Sequence, residues 1–212
     1  QHASDHINLL FNNAGIGGGG SMIADDRAAW DRTFAVCWGG VYYGVRAFLP
    51  LLIAADEGHI VNTSSINGFW ASLGPDRAHT AYSAAKFAVK GFSEALITDL
   101  RLNAPHIKVS VVMPGHIGTS IVANSMRHGG HELDMETAEM VQLMSNMFRD
   151  QAPMTASEAS SIILDGVRAG RWRILVGDDA QQLDAAVRAD PENAYESLTL
   201  GDLSLGSAAP TQ

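Results

Sequence analysis

Thr80-Ala81-Tyr82-Ser83-Ala84-Ala85-Lys86 opens a long helical pattern, around which the other segments are organised. Tyr82 and Lys86 stand four residues apart, one helical turn, on the same face. That spacing suits proton transfer. A free phenol has a pKa of about 10, too high to exchange protons readily near neutrality. An ammonium fixed nearby favours the phenolate, so Lys86 is expected to lower the pKa of Tyr82. The same two residues would also be ordinary on the surface of any amphipathic helix, so what flanks them has to decide.

The helix carrying them runs over residues 80–103 and is stopped by Pro105. Before it, residues 59–64 form a strand that ends in Thr63-Ser64-Ser65, followed by a loop with Gly68, Gly74 and Pro75. Earlier still, His6-Ile7-Asn8-Leu9-Leu10-Phe11 is a short apolar run that reads as a buried strand, ending in Asn12-Asn13-Ala14-Gly15. Gly15, Gly17 and Gly20 match G-x-G-x-x-G in form. The dinucleotide fingerprint, however, needs a helix opening at its last glycine and an acid closing the next strand about 20 residues on. Neither follows here, so Gly17-Gly18-Gly19-Gly20 is read as a flexible loop. Residues 26–54 are helical, with Phe34, Trp38, Val41, Val45, Phe48 and Leu52 as one core-facing stripe.

After the long helix, residues 107–113 form a strand cut by Pro114-Gly115. Residues 116–150 are rich in methionine and acids. Met140, Met144 and Met147 lie in helical register, either as a short core helix or as a mobile lid over an apolar substrate. His128 and His131 lack a third well-placed ligand, so no metal is expected. Thr155-Ala156-Ser157-Glu158 is a capping box that starts a helix to about residue 169. A strand at 173–176 and a helix at 179–189 follow. Residues 1–197 are read as one domain and 198–212 as a loose tail.

Strand and helix alternate, which argues for an α/β fold: a parallel sheet between two helical layers. In such sheets ligands bind beyond the carboxyl ends of the strands. Asn12-Asn13-Ala14-Gly15, Ser64-Ser65 and Pro114-Gly115 all lie at such ends, and the Tyr82 helix starts at the same rim.

Composition narrows the rest. Hydrophobic residues make up 46% and charged residues 17% of the 212, a globular balance. The net charge of −9 gives no footing for nucleic acid or an anionic membrane surface. Cys37 is the single cysteine, which excludes an internal disulfide and points to a reducing compartment, the cytoplasm. No apolar run was found long enough to span a bilayer, and no signal peptide opens the chain.

With these residues in place, the chain resembles the classical short-chain dehydrogenases/reductases over nearly all of its first 190 residues. Asn12-Asn13-Ala14-Gly15 is similar to that family's NNAG. Ser65, Tyr82 and Lys86 match its Ser…Tyr-x-x-x-Lys, and Pro114-Gly115 with Thr119 matches its PG-x-x-x-T. The resemblance implies a Rossmann-like doubly wound sheet and hydride transfer between NAD or NADP and a small, apolar alcohol or carbonyl. It implies Tyr82 as general acid/base, Lys86 as its electrostatic partner and ribose ligand, and Ser65, rather than Ser64, as the substrate-oxygen donor. Asn13, Ala14, Gly15, Pro114, Gly115, Ile117 and Thr119 would line the cofactor together with Tyr82 and Lys86. It also implies a homodimer or homotetramer through the helices at 26–54 and 80–103.

Two departures accompany the resemblance. In the family's V-N-x-x-G pattern Cys37 stands where an asparagine is usual, a weaker hydrogen-bonding group in any relay to Lys86. The family also opens with two βα units carrying TG-x-x-x-G-x-G before NNAG, and no counterpart precedes Gln1. The expectation is therefore an N-terminally truncated member whose pyrophosphate site is incomplete, with a non-catalytic interaction protein as the rival reading. A serine hydrolase, suggested formally by Ser83-Ala84-Ala85-Lys86, lacks the companion S-D-N and K-T-G motifs.

Overall fold

The computed structural model describes residues 5–74, 77–127 and 135–198. His128 and His131, and the tail from residue 199, lie outside them. In chain order the elements are β1 (Leu9–Asn12), α1 (Arg27–Phe34), a π-helical turn (Ala35–Gly39), α2 (Gly40–Ile53), β2 (Gly58–Thr63) and a 3-10 turn (Ile66–Gly68). There follow α3 (Thr80–Asn103), β3 (Ile107–Pro114), β4 (Ile117–Gly118), α4 (Ile121–Arg127), α5 (Met135–Asp150) and β5 (Met154–Thr155). The chain continues through α6 (Ala156–Arg168), β6 (Arg173–Val176), α7 (Asp178–Ala189) and α8 (Ala194–Ser197).

The strands form a parallel sheet in the order β1-β2-β3-β6, as the alternation of strands and helices predicts. β4 and β5 make a separate two-stranded parallel pair. Side chains alternate across a strand, so β2 sends Ile60 and Asn62 to one face and Val61 to the other. On the first face Ile60, Ile107 and Val109 meet Val45 and Leu52 of α2 and Leu96 and Leu100 of α3. On the second, Val61, Val112 and Ile174 meet Ala159 of α6. The result is three layers, α/β/α. The buried Asn62 is matched on both sides: it accepts from Asn12 Nδ2 at 2.8 Å and donates to Ser93 Oγ at 3.0 Å, tying β1, β2 and α3 together.

Three expectations need correction. The first strand is not buried: β1 is the sheet edge, and Leu9 and Phe11 are exposed. The stripe on residues 26–54 is formed only in part, and at the π-helical turn Cys37 rather than Trp38 is buried. Cys37, Val41, Val45 and Leu52 are buried, whereas Phe48 is exposed. The continuous helix Arg27–Ile53 is also long and apolar enough, by composition, to cross a membrane; here α2 packs on β1 and β2. The capping box is formed as read, with Glu158 N donating to Thr155 Oγ1 and Thr155 N to Glu158 Oε2.

Candidate active site

Tyr82 lies in the first turn of α3. A helix start leaves its first N–H groups without intrahelical partners, and no side chain caps α3. The glycine run does so instead. Thr80 N donates to Gly20 O at 2.9 Å and Ala81 N to Gly19 O at 3.0 Å. Trp30 Nε1 donates to Thr80 Oγ1 at 3.0 Å, adding α1 to the same joint. Only glycine fits: Gly18 and Gly19 have φ of 128° and 63°. A Cβ at Gly19 would lie 2.8 Å from Ala81 Cβ and from Trp30 Cα. The run read as a flexible loop is thus a fixed clasp on the Tyr82 helix, and the next helix opens only at Arg27.

One turn on, Lys86 is buried. Its Nζ donates to Thr63 O at 2.9 Å and sits 5.3 Å from the centroid of the Tyr82 ring. Gly15 brings β1's end alongside: a Cβ there would lie 3.5 Å from Lys86 Nζ and 3.8 Å from Cys37 Sγ. Cys37, on the π-helical turn, donates its thiol hydrogen to Ile16 O at 3.2 Å. The two serines after β2 part ways. Ser64 Oγ donates to Lys86 O at 2.8 Å, fastening β2 to α3. Ser65 Oγ accepts from Asn67 N at 3.2 Å, and its hydroxyl lies close enough to Tyr82 to favour the phenolate. Asn13 Oδ1 accepts from Thr63 Oγ1 at 3.0 Å, while Asn13 and Ala14 face outward at the rim.

Electrostatics reverse one expectation. Burial raises the Tyr82 pKa above the ordinary phenol value, the neighbouring Cys37 adds to the rise, and the Ser65 hydrogen bond opposes it. Burial also lowers the pKa of Lys86, with Cys37 opposing. Lys86 faces the ring of Tyr82, and the net shift is upward, not downward. Tyr82 is therefore a proton-bearing phenol at neutral pH. His79 packs on it with ring centroids 4.8 Å apart. Burial, then the charge of Arg77, lower the His79 pKa to about 4.

Beyond β3, Pro114, Gly115, Ile117 and Thr119 continue the rim. Gly115 N donates to Val176 O and Thr119 N to Ile117 O, at 2.9 and 2.8 Å. Above it, α4 is tied to the loop after β1 by Gly17 N donating to Ser125 Oγ at 2.7 Å. Of the two readings of the methionine stripe, the core helix is not what forms: Val141 and Ser145 are buried on α5, whereas Met140, Met144 and Met147 face outward. Sequence reading missed Trp30, Thr80, His79, His116, Ser125 and Asp179. The four consecutive glycines were the available signal for the clasp; the other residues form no spaced motif. Among the described residues, no group of three His, Cys, Asp or Glu could hold a metal ion.

Comparison with known proteins adds ancestry to this geometry. The family profile for short chain dehydrogenases matches residues 1–129. SadH of Mycobacterium tuberculosis, named an oxidoreductase, is 34% identical over 183 residues, 86% of this chain and 62% of its own length. YbbO of Escherichia coli K12, also named an oxidoreductase, is 36% identical over 54% of this chain and 40% of its own. The chain thus spans less than two thirds of these relatives. A short-chain dehydrogenase/reductase from Burkholderia phymatum, solved in complex with NAD, superposes with a TM-score of 0.73 at 27% identity, covering 89% of this chain and 66% of that one. With its profile match extending over more than half the chain, this protein belongs to the short-chain dehydrogenase/reductase family.

Proposed function

We propose that this chain supplies the catalytic part of an NAD- or NADP-dependent oxidoreductase that interconverts a small, apolar alcohol and its carbonyl. The observation that carries this reading is the convergence of Ser65, Tyr82 and Lys86 beside Gly15 at the carboxyl ends of β1 and β2. The described residues fit the nicotinamide–ribose half of such a cofactor. Gly15 passes Lys86 without a side chain, and Lys86 spends one of its three N–H groups on Thr63. Asn13, Ala14, Gly15, Tyr82, Lys86, Pro114, Gly115, Ile117 and Thr119 would hold that half. They do not supply a pyrophosphate loop of the usual kind, because no helix opens at the end of the glycine run and the next begins only at Arg27.

The cofactor, when bound, supplies or accepts the hydride. The chain's own residues handle the proton. Tyr82 gives its phenolic proton to the substrate oxygen in reduction and takes it back in oxidation. Ser65 donates a hydrogen bond to that oxygen as charge develops. Lys86, held by Thr63, faces the Tyr82 ring with a positive charge that stabilises the phenolate once it forms. We further propose a homo-oligomer through α2 and α3, supported by the exposed Tyr42, Tyr43, Phe48 and Phe87. We also propose a cytoplasmic location, on the ground that Cys37 is the single cysteine in the 212 residues.

The test is reduction of apolar ketones by a chimera that places this chain behind the N-terminal part of the B. phymatum enzyme, which this chain matches over 66% of its length. Tyr82→Phe should abolish turnover and leave cofactor binding intact, because only the hydroxyl is lost. Wild-type turnover in that variant would remove Tyr82 from the mechanism. An inert wild-type chimera would leave the second reading, association without catalysis.

A further inference from the structure

The loop after β3 is held from two sides by groups that the proposed reaction does not use. On one side is Asp179, a buried carboxylate in the first turn of α7. Its Oδ2 accepts from His116 N at 2.6 Å and its Oδ1 from Ala180 N at 2.9 Å. The glycines around it are shaped to it: a Cβ at Gly115 or at Gly177 would collide with the carboxylate, and Gly177 has a φ of 104°. Asp179 in this position therefore requires glycine at both 115 and 177.

On the other side is the His116 side chain. Its Nε2–H donates to Phe148 O at 2.7 Å, and its ring lies 4.3 Å from the Phe148 ring, centroid to centroid. Phe148 O belongs to the last turn of α5, where carbonyls lack intrahelical partners. His116 thus ends α5. The next residues seal the joint: β4 pairs with β5 just past α5, and a Cβ at Gly118 would sit 2.8 Å from Arg149 O. A single residue, His116, is bonded through its backbone to α7 and through its ring to α5.

We propose that His116, rooted on Asp179, is a positioning residue that locks helix α5 to the loop carrying Ile117 and Thr119. The position of α5 then sets where that loop meets the cofactor. This rests on the oxidoreductase reading above for the loop's role, though not for the mechanical coupling itself. A helix with an outward methionine stripe is thereby connected to the reacting centre through one imidazole.

Amide hydrogen exchange on the chain, with no cofactor present, tests the coupling. His116→Phe keeps an aromatic ring against Phe148 and removes the donor. Exchange should accelerate about tenfold, the worth of one hydrogen bond, in both residues 115–119 and the last turn of α5, with α3 and β2 unchanged. His116→Gln places an N–H where Nε2 was and should restore protection. In the chimera, His116→Phe should raise the primary deuterium isotope effect on hydride transfer and the KM for cofactor, and His116→Gln should reverse both. Unchanged exchange, acceleration in one segment only, or uniform acceleration throughout the chain would overturn the proposal. So would an unmoved isotope effect in a chimera that Tyr82→Phe silences. If Tyr82→Phe turns over normally, or the wild-type chimera is inert, the proposed function fails, and the exchange arm still decides the coupling.

Discussion

At the scale of single residues, protonation states give two measurable consequences. With its pKa raised by burial, Tyr82 is already protonated for carbonyl reduction, so that direction should be flat with pH across neutrality. Alcohol oxidation needs the phenolate and should climb by about tenfold per pH unit well into the alkaline range. Rate profiles in both directions on the chimera check this; an oxidation rate that levels off near pH 7 would contradict the raised pKa. His79 acts on stability. Its folded pKa of about 4 lies below the ordinary 6.5, so the unfolded chain binds more protons between those values. Stability is full above pH 6.5 and falls as pH drops towards 4, by at most about 3 kcal/mol. Denaturant titrations of wild type and His79→Phe at pH 7.5 and 4.5 should show this as a smaller acid loss in the variant. Equal losses would mean that His79 titrates normally.

At the scale of elements, the clasp makes the sharpest prediction. Gly19→Ala forces a Cβ against Trp30 and Ala81 and demands a positive φ of a residue that resists it. The cost should be about 2–3 kcal/mol by denaturant unfolding, with faster amide exchange in the first turn of α3. A loss under 0.5 kcal/mol, well below that range, would show the clasp to be incidental. The clasp also marks where sequence reading stops. α3 was legible over its full length because Pro105 and a continuous apolar period define it locally, and the capping box at Thr155 is equally local. Ser65, Tyr82, Lys86 and the loop from Pro114 are recoverable because family motifs carry them. Gly19, Asp179 and His116 are not, because what they do depends on partners 62, 63 and 32 residues away. The first long helix was legible only in part for a different reason: its period sets Phe48 in line with Val41 and Leu52, but whether a position is covered depends on the neighbouring elements, and Phe48 is exposed.

At the scale of the molecule, the exposed aromatics on α2 and α3 predict self-association. Light scattering at micromolar concentration should give a dimer or tetramer, and charge introduced by Tyr43→Glu with Phe87→Glu should yield monomer; a monomeric wild type would refute it. The lack, among the described residues, of a helix opening at the glycine run predicts a second whole-chain property. The described residues offer contacts to the nicotinamide half alone, so this chain should bind NADH and reduced nicotinamide mononucleotide with affinities within about tenfold, under 1.4 kcal/mol. A hundredfold preference for the dinucleotide, by calorimetry, would reveal a phosphate site elsewhere. The clasp also has a consequence for how this chain tolerates change. A helix usually keeps its entrance by the chemistry of the residue just before it, and that residue resists replacement. Here the entrance to α3 is closed by backbone atoms of a distant loop. Saturation mutagenesis should therefore find a permissive His79, with Gly19 and Gly20 nearly immutable, so that the vulnerability of the Tyr82 helix is recorded some sixty positions upstream of its first turn.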